Sequence, residues 1–192
     1  ILAKDGGVAL ARLHDLPLKG HVSSAPRVSG GRLLVVTDKA EMTVFELRGA
    51  EPDKPLGKVA EGVASGEENL VRFPCLLGEQ FYLGDAMLTK FDVLASRGRL
   101  QPRWSDNKNS VTLQPLVAIG DTVLQVRRRI GLPGVLASAL AAEGKTLWQT
   151  QLAAPLAEAP FESAGSDGPT LVSSLGAVYQ SPLAGSDTVV DE

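Results

Sequence analysis

A single cysteine, Cys75, is the whole thiol content of the chain. One thiol closes no intramolecular disulfide, which excludes a cysteine-stapled scaffold and a Cys-based zinc site. Histidine is almost as scarce. His14 and His21 stand seven residues apart in irregular sequence, which is no recognised metal spacing, and they read as surface or capping residues. No apolar run reaches the roughly 18 residues that a membrane-spanning helix needs. Aromatic residues are sparse, with two Tyr and two Trp, so apolar packing falls on Leu, Val and Ala. The formal charge of −3 is too small, and of the wrong sign, to steer the chain toward nucleic acid. There is no glycine-rich phosphate loop, because Gly6-Gly7 and Gly30-Gly31 lie in hairpin turns. Ser23 and Ser24 lack the strand–turn–helix elbow of a hydrolase nucleophile. The chain begins at Ile1 with no signal-type segment and reads as a mature product or an excised domain.

What the chain has in quantity is glycine and proline, 20 and 12 of its 192 residues, in a composition that is 44% hydrophobic. That mixture suits a folded domain of many short strands joined by tight turns. One unit recurs. Pro26, Pro74, Pro115 and Pro160 are each followed four or five residues later by Gly30, Gly78, Gly120 and Gly165, and then by a short apolar run. The proline intervals are 48, 41 and 45 residues, a period typical of propeller blades.

Within a unit, a first strand leads into the proline and a glycine turn follows. Second strands are expected at 33–37, 81–83, 122–126 and 170–173, and third strands at 43–47, 88–93, 135–140 and 177–181. Fourth strands at 56–60, 100–104 and 146–152 are more polar, as suits the exposed edge of a blade. Alternation in the runs from Met42 and Leu88 predicts one face on a core and one toward water. Lys4-Asp5-Gly6-Gly7 signals a hairpin, 8–13 a third strand, and 18–23 a fourth strand or the next first one. The expected fold is all-β: a β-propeller of four-stranded antiparallel blades, with about four to five blade units present. It is a single domain over 1–192, with units at 1–22, 23–62, 63–108, 109–155 and 156–183 and a tail at 184–192. The units form either a complete four-bladed ring or, the favoured reading, a piece of a larger propeller or a partner-completed one.

The most specific stretch is Ala137–Trp148. It resembles the tryptophan-docking segment of quinoprotein-type propellers, roughly Ala-Leu-Asp-Ala-x-Thr-Gly-x-x-x-Trp, through Ala139, Leu140, Gly144 and Trp148. Ala141 stands for the usual Asp and Glu143 for the Thr. Gly144 permits a tight turn between third and fourth strands, and Trp148 offers a flat surface to wedge between blades. Trp104 holds a comparable place in the preceding unit, and the first unit has no Trp. The chain is similar in this way to the PQQ-like (quinoprotein alcohol dehydrogenase-like) repeat superfamily, which spans both non-catalytic envelope lipoproteins and quinone-dependent dehydrogenases. The resemblance implies a bacterial, periplasmic or cell-envelope setting.

In the dehydrogenases, acidic and amide side chains hold quinone and calcium, commonly beside a vicinal Cys pair. This chain lacks the pair, and Asp106, Asn107 and Asn109 sit in a loop that reads as a turn. No cofactor, metal or catalytic residue is therefore assigned. The remaining candidate is Arg127-Arg128-Arg129, which ends a strand before the long connection Ile130–Gly134. It is either a docking surface for an anionic or acidic protein partner, or a solvated edge that discourages sheet aggregation. Arg97, Arg99 and Arg103 join it on the same or the opposite rim. Cys75, after Pro74, reads as a small buried hydrophobe. The favoured function is a non-catalytic interaction scaffold; the alternatives are part of a quinone-dependent dehydrogenase and a sensor domain of a kinase or protease.

Overall fold

The computed structural model describes residues 15–50, 54–65, 70–163 and 168–181, together with the backbone of Leu2–Lys4 and Gly7–Ala9. His14, Gly165, most of the strand expected at 8–13 and the tail at 184–192 lie outside the described residues. Strands β1 (Leu2–Lys4) and β2 (Gly7–Ala9) pair around the Lys4–Gly7 hairpin. Sheet one contains β3 (Arg27–Ser29), β4 (Arg32–Val36), β5 (Glu41–Leu47) and β6 (Leu56–Val63). Sheet two contains β7 (Phe73–Leu77), β8 (Gln80–Gly84), β9 (Leu88–Leu94) and β10 (Arg99–Asp106). Sheet three contains β11 (Ser110–Thr112), β12 (Val117–Ile119), β13 (Thr122–Arg129), β14 (Val135–Ala141) and β15 (Thr146–Leu152). Sheet four contains β16 (Phe161–Glu162), β17 (Pro169–Val172) and β18 (Val178–Gln180). The only helical element among the described residues is a single 3-10 turn, Ala95–Arg97.

Each sheet is an antiparallel meander. Sheets one and two are linked at their outer strands by one parallel pairing, Arg99 with Glu61, which makes a continuous order of eight strands. Three of the first turns are two-residue loops with glycine at the first position: Gly30, Gly78 and Gly120, at φ of 55°, 58° and 54°. Glycine is favoured there because a side chain resists positive φ. The innermost strand corrects the sequence expectation. It does not simply lead into the proline. In sheets one, three and four it is broken there, with one piece before the proline (the Val22–Thr37 bridge, β11, the Leu156–Ser173 bridge) and one after it (β3, β12, β16). Pro26, Pro115 and Pro160 occupy the breaks, where their missing N–H forfeits no ladder bond. In sheet two the strand is continuous, and Pro74 lies within it opposite Leu83.

Period two also acts differently from expectation. It sorts side chains between two neighbouring sheets, rather than between a core and water. Leu34, Val36, Met42 and Val44 of sheet one pack on Phe81, Leu83 and Phe91 of sheet two, where the Phe81 and Phe91 rings stack at 5.0 Å. The opposite face of sheet two sends Cys75, Tyr82 and Leu88 against Leu116, Val123 and Leu140 of sheet three. Val126, Val135 and Ala137 of sheet three then meet Leu171 of sheet four. The outer strands β6, β10 and β15 carry the more exposed patterns.

Polar bonds lock the same interfaces. Arg32 reaches Glu79 at 3.2 Å, joining the first turns of sheets one and two. Lys90 Nζ and Trp104 Nε1 both donate to the Ala142 carbonyl, at 2.9 and 3.3 Å, joining sheet two to the β14–β15 turn of sheet three. Ahead of β7, the wholly buried Arg72 places Nε 3.8 Å from Asp85 Oδ2, and its Nη1 donates to the Leu70 carbonyl at 3.2 Å. Asp85 Oδ1 accepts the Met87 N–H at 3.2 Å, and its backbone carbonyl accepts the Thr112 N–H at 2.8 Å. Burial raises the Asp85 pKa above its ordinary value, against the lowering pull of the Met87 N–H and of Arg72.

Cys75 is buried, and burial pushes its thiol pKa up to about 11, opposed weakly by Arg27. The thiolate is the reactive form. A maleimide or aromatic disulfide reagent at mildly alkaline pH is therefore expected to leave the native thiol unmodified and to label it once denaturant is added. Rapid labelling of the native protein would contradict this placement.

Candidate functional site

The end of β13 builds the site. Strand alternation splits the arginine triplet that the sequence presents as one patch. Val123, Gln125 and Arg127 point toward sheet two, whereas Leu124, Val126 and Arg128 point toward sheet four. Arg127 is only 4% exposed, while Arg128 and Arg129 are exposed. The Arg127 guanidinium donates from Nη1 to Ser138 Oγ and from Nη2 to Gln149 Oε1. Both partners are neutral. Among the described residues no carboxylate forms an ion pair with Arg127, Arg129 or Lys108. Burial lowers the Arg127 pKa below its ordinary value; the Asp106 charge opposes this and Arg129 adds to it.

The connection from β10 to β11 forms the other wall. Asn107 and Asn109 adopt left-handed backbone, at φ of 56° and 58°. Asparagine tolerates this conformation better than most residues, which agrees with the turn expected there. The loop is held firmly. Asn107 Nδ2 donates to Gln125 Oε1 at 2.7 Å, and Gln125 Nε2 donates to Thr112 Oγ1 at 2.9 Å. Ser110 Oγ donates to the Asn107 carbonyl, and the Ile130 N–H donates to the Asn109 carbonyl at 3.0 Å. Between the walls lies a cavity of about 350 Å³, lined by Ser105, Asp106, Asn107, Lys108, Arg127, Arg129 and Gln149. It holds three cationic side chains against one carboxylate and opens on the rim.

Two other clefts are more apolar. One of about 500 Å³ lies between sheets three and four beside Arg128, Val126 and Leu156. The other, of about 440 Å³, lies along the inner strands beside Cys75, Leu76 and Pro115–Ala118. Neither gathers a comparable set of charged groups. Of the other sequence candidates, Arg97 and Arg99 lie by the β9–β10 turn, at the end of sheet two shared with Gly78 and opposite the β10–β11 connection. Arg103 is occupied with Asp92 at 3.5 Å. His21 is exposed, 3.4 Å from Asp38. The His21 backbone N–H, donating at 2.8 Å, is the main cause of a lowered Asp38 pKa.

Gly144 lies in the β14–β15 turn at φ +94°, and a Cβ there would lie 3.0 Å from the Trp104 ring. Trp104 of sheet two thus docks on the turn of sheet three. Trp148 packs on the facing side, in the cluster that contains Leu171. Sequence reasoning missed Gln125, Ser138, Gln149 and Lys108. The available signal was the alternation of Val123, Gln125 and Arg127 within an otherwise apolar strand.

Antiparallel meanders packed face to face in succession, with sheets two and three each buried between two neighbours, define a β-propeller fold. No protein-family model matches the chain, and no curated protein matches it in sequence. Among solved structures it is similar to BamB from Moraxella catarrhalis, at 13% identity and a TM-score of 0.54, over 83% of this chain and 48% of that one. It is similar also to Sqt1 from Saccharomyces cerevisiae, at 13% identity and a TM-score of 0.52, over 80% of this chain and 48% of that one. A protein from Lactobacillus plantarum aligns at 12% identity and a TM-score of 0.51, over 88% of this chain and 61% of that one. The chain thus spans about half the length of the first two. At these identities the likeness concerns the fold alone. Among the described residues, no helix is long and apolar enough to cross a membrane.

Proposed function

We propose that the chain is a non-catalytic propeller scaffold that binds a protein partner, and that it forms an arc of a larger propeller of the PQQ-like repeat type. The observation that carries the reading is the rim between sheets two and three. There, hydrogen-bonded loops on locked sheets hold a set of convergent polar groups open to solvent. Groups fixed in this way bind a partner with little ordering cost. The repeat assignment is supported by Trp104, whose indole N–H caps Ala142 while its ring covers Gly144. A bacterial, extracytoplasmic setting follows from the superfamily likeness alone.

The dehydrogenase branch of that superfamily implies quinone and calcium. The residues here do not fit them. Among the described residues no three His, Cys, Asp or Glu side chains converge on a point, and the single thiol is buried. The test is a titration with pyrroloquinoline quinone and calcium, read by Trp fluorescence and dye reduction. No saturable quenching and background dye reduction are expected. Stoichiometric quinone binding overturns the scaffold reading.

A further inference from the structure

We infer that the cavity between sheets two and three is a carboxylate-binding site, and that its ligand is an acidic-apolar segment of a partner protein. This rests on the scaffold reading and deepens it. The key fact is Arg127, a buried guanidinium whose hydrogen bonds go to the neutral Ser138 and Gln149 and which has no carboxylate partner among the described residues. Desolvating a charge is costly unless an opposite charge answers it. Asp106 lines the same cavity but pairs with none of its cations, and its Oδ1 accepts the Asn107 N–H at 2.7 Å. Arg129 and Lys108 leave the cavity short of negative charge. The planar guanidinium fork matches a carboxylate in geometry as well as in charge.

The surroundings select among anions. The volume of about 350 Å³ is at the small end for ligand cavities and suits a side chain or two rather than a nucleotide. Directly beyond Arg129, Ile130 is 73% exposed and Leu132 is 42% exposed. Exposed aliphatic side chains beside cations offer nothing to an inorganic ion. They complement a peptide that alternates Glu with Leu. The chain's net charge of −3 makes the attraction local to this rim, so nucleic acid is a poor match.

The experiment is calorimetric titration of the full chain with an acetylated, amidated Leu-Glu-Leu-Glu-Leu peptide, beside its Gln-for-Glu counterpart and inorganic phosphate. Binding of the Glu peptide is expected, weakening as salt rises. The R127Q variant should lower affinity about tenfold or more, in line with a lost charged hydrogen bond. R129Q should weaken it less. R128Q should leave it unchanged, because Arg128 faces the other interface. Thermal melting checks that the variants fold; if R127Q does not, R129Q against R128Q carries the comparison. Equal binding of the Gln peptide, binding of phosphate alone, no binding of any probe, or equal loss in R128Q and R129Q each overturns the proposal. The quinone titration judges the scaffold reading separately, so failure here with a blank quinone result removes this site only.

Discussion

Replacing Gly134 by Ala should destabilise the protein by roughly 3 kcal/mol or more, one of the largest effects open to a single added methyl group. Two causes combine. Gly134 has φ +73°, a conformation that costs an L side chain about 1–2 kcal/mol. A Cβ there would also lie 2.2 Å from the Leu152 carbonyl oxygen, which is backbone. Leu152 is paired with Val135, the first residue of β14, so the carbonyl cannot retreat without opening the β14–β15 ladder. The internal comparison is Gly131→Ala in the same connection. Gly131 has φ +86° but nothing within 4 Å of its would-be Cβ, so only the backbone penalty applies. Urea unfolding of both variants measures the difference. Equal losses would show that the close approach at Gly134 contributes nothing.

Replacing Arg72 by Met should cost about 3–5 kcal/mol at neutral pH, the usual penalty for removing one partner of a buried ion pair. In a domain of this size that lowers the melting temperature by roughly 6–20 °C. Arg72 is wholly buried and Asp85 nearly so, and the carboxylate would be left with the Met87 and Ala86 backbone N–H groups and no opposite charge from Arg72. The pH dependence has a definite sign. The Asp85 folded-state pKa already lies above its ordinary value because of burial, so the folded state holds the proton where the unfolded state has released it. Such a group favours folding at low pH, and that contribution is lost as pH rises through the folded pKa. Without Arg72 the window widens upward. The R72M deficit should therefore be largest at neutral pH and shrink on acidification. A deficit independent of pH would mean that packing of the arginine stem, and not the charge pair, sets the cost.

Much of the architecture was legible because glycine and proline mark backbone geometry directly. Gly30, Gly78 and Gly120 identified three two-residue loops, and the strands between them fell where the apolar runs placed them. The burial of both faces was less legible. Alternation in Met42–Leu47 looks like a half-wet strand, yet Thr43 and Phe45 are buried as well as Met42 and Val44. A small polar residue in a strand cannot announce whether water or another sheet faces it. The breaks at the prolines went unforeseen for a related reason: short strand pieces such as Arg27–Ser29 carry too few residues to show a period. At the candidate site, Arg127 was legible as a charge and illegible as a buried one. Its direction depends on the parity of β13, and its partners Ser138 and Gln149 come from two other strands.

Among the described residues, sheets two and three each pack against a sheet on either side, so cohesion there is a nearest-neighbour property. The cationic cleft at their junction is thus gripped from both directions, and a ligand seated there would clamp together two members of the stack that are already held on their outer faces.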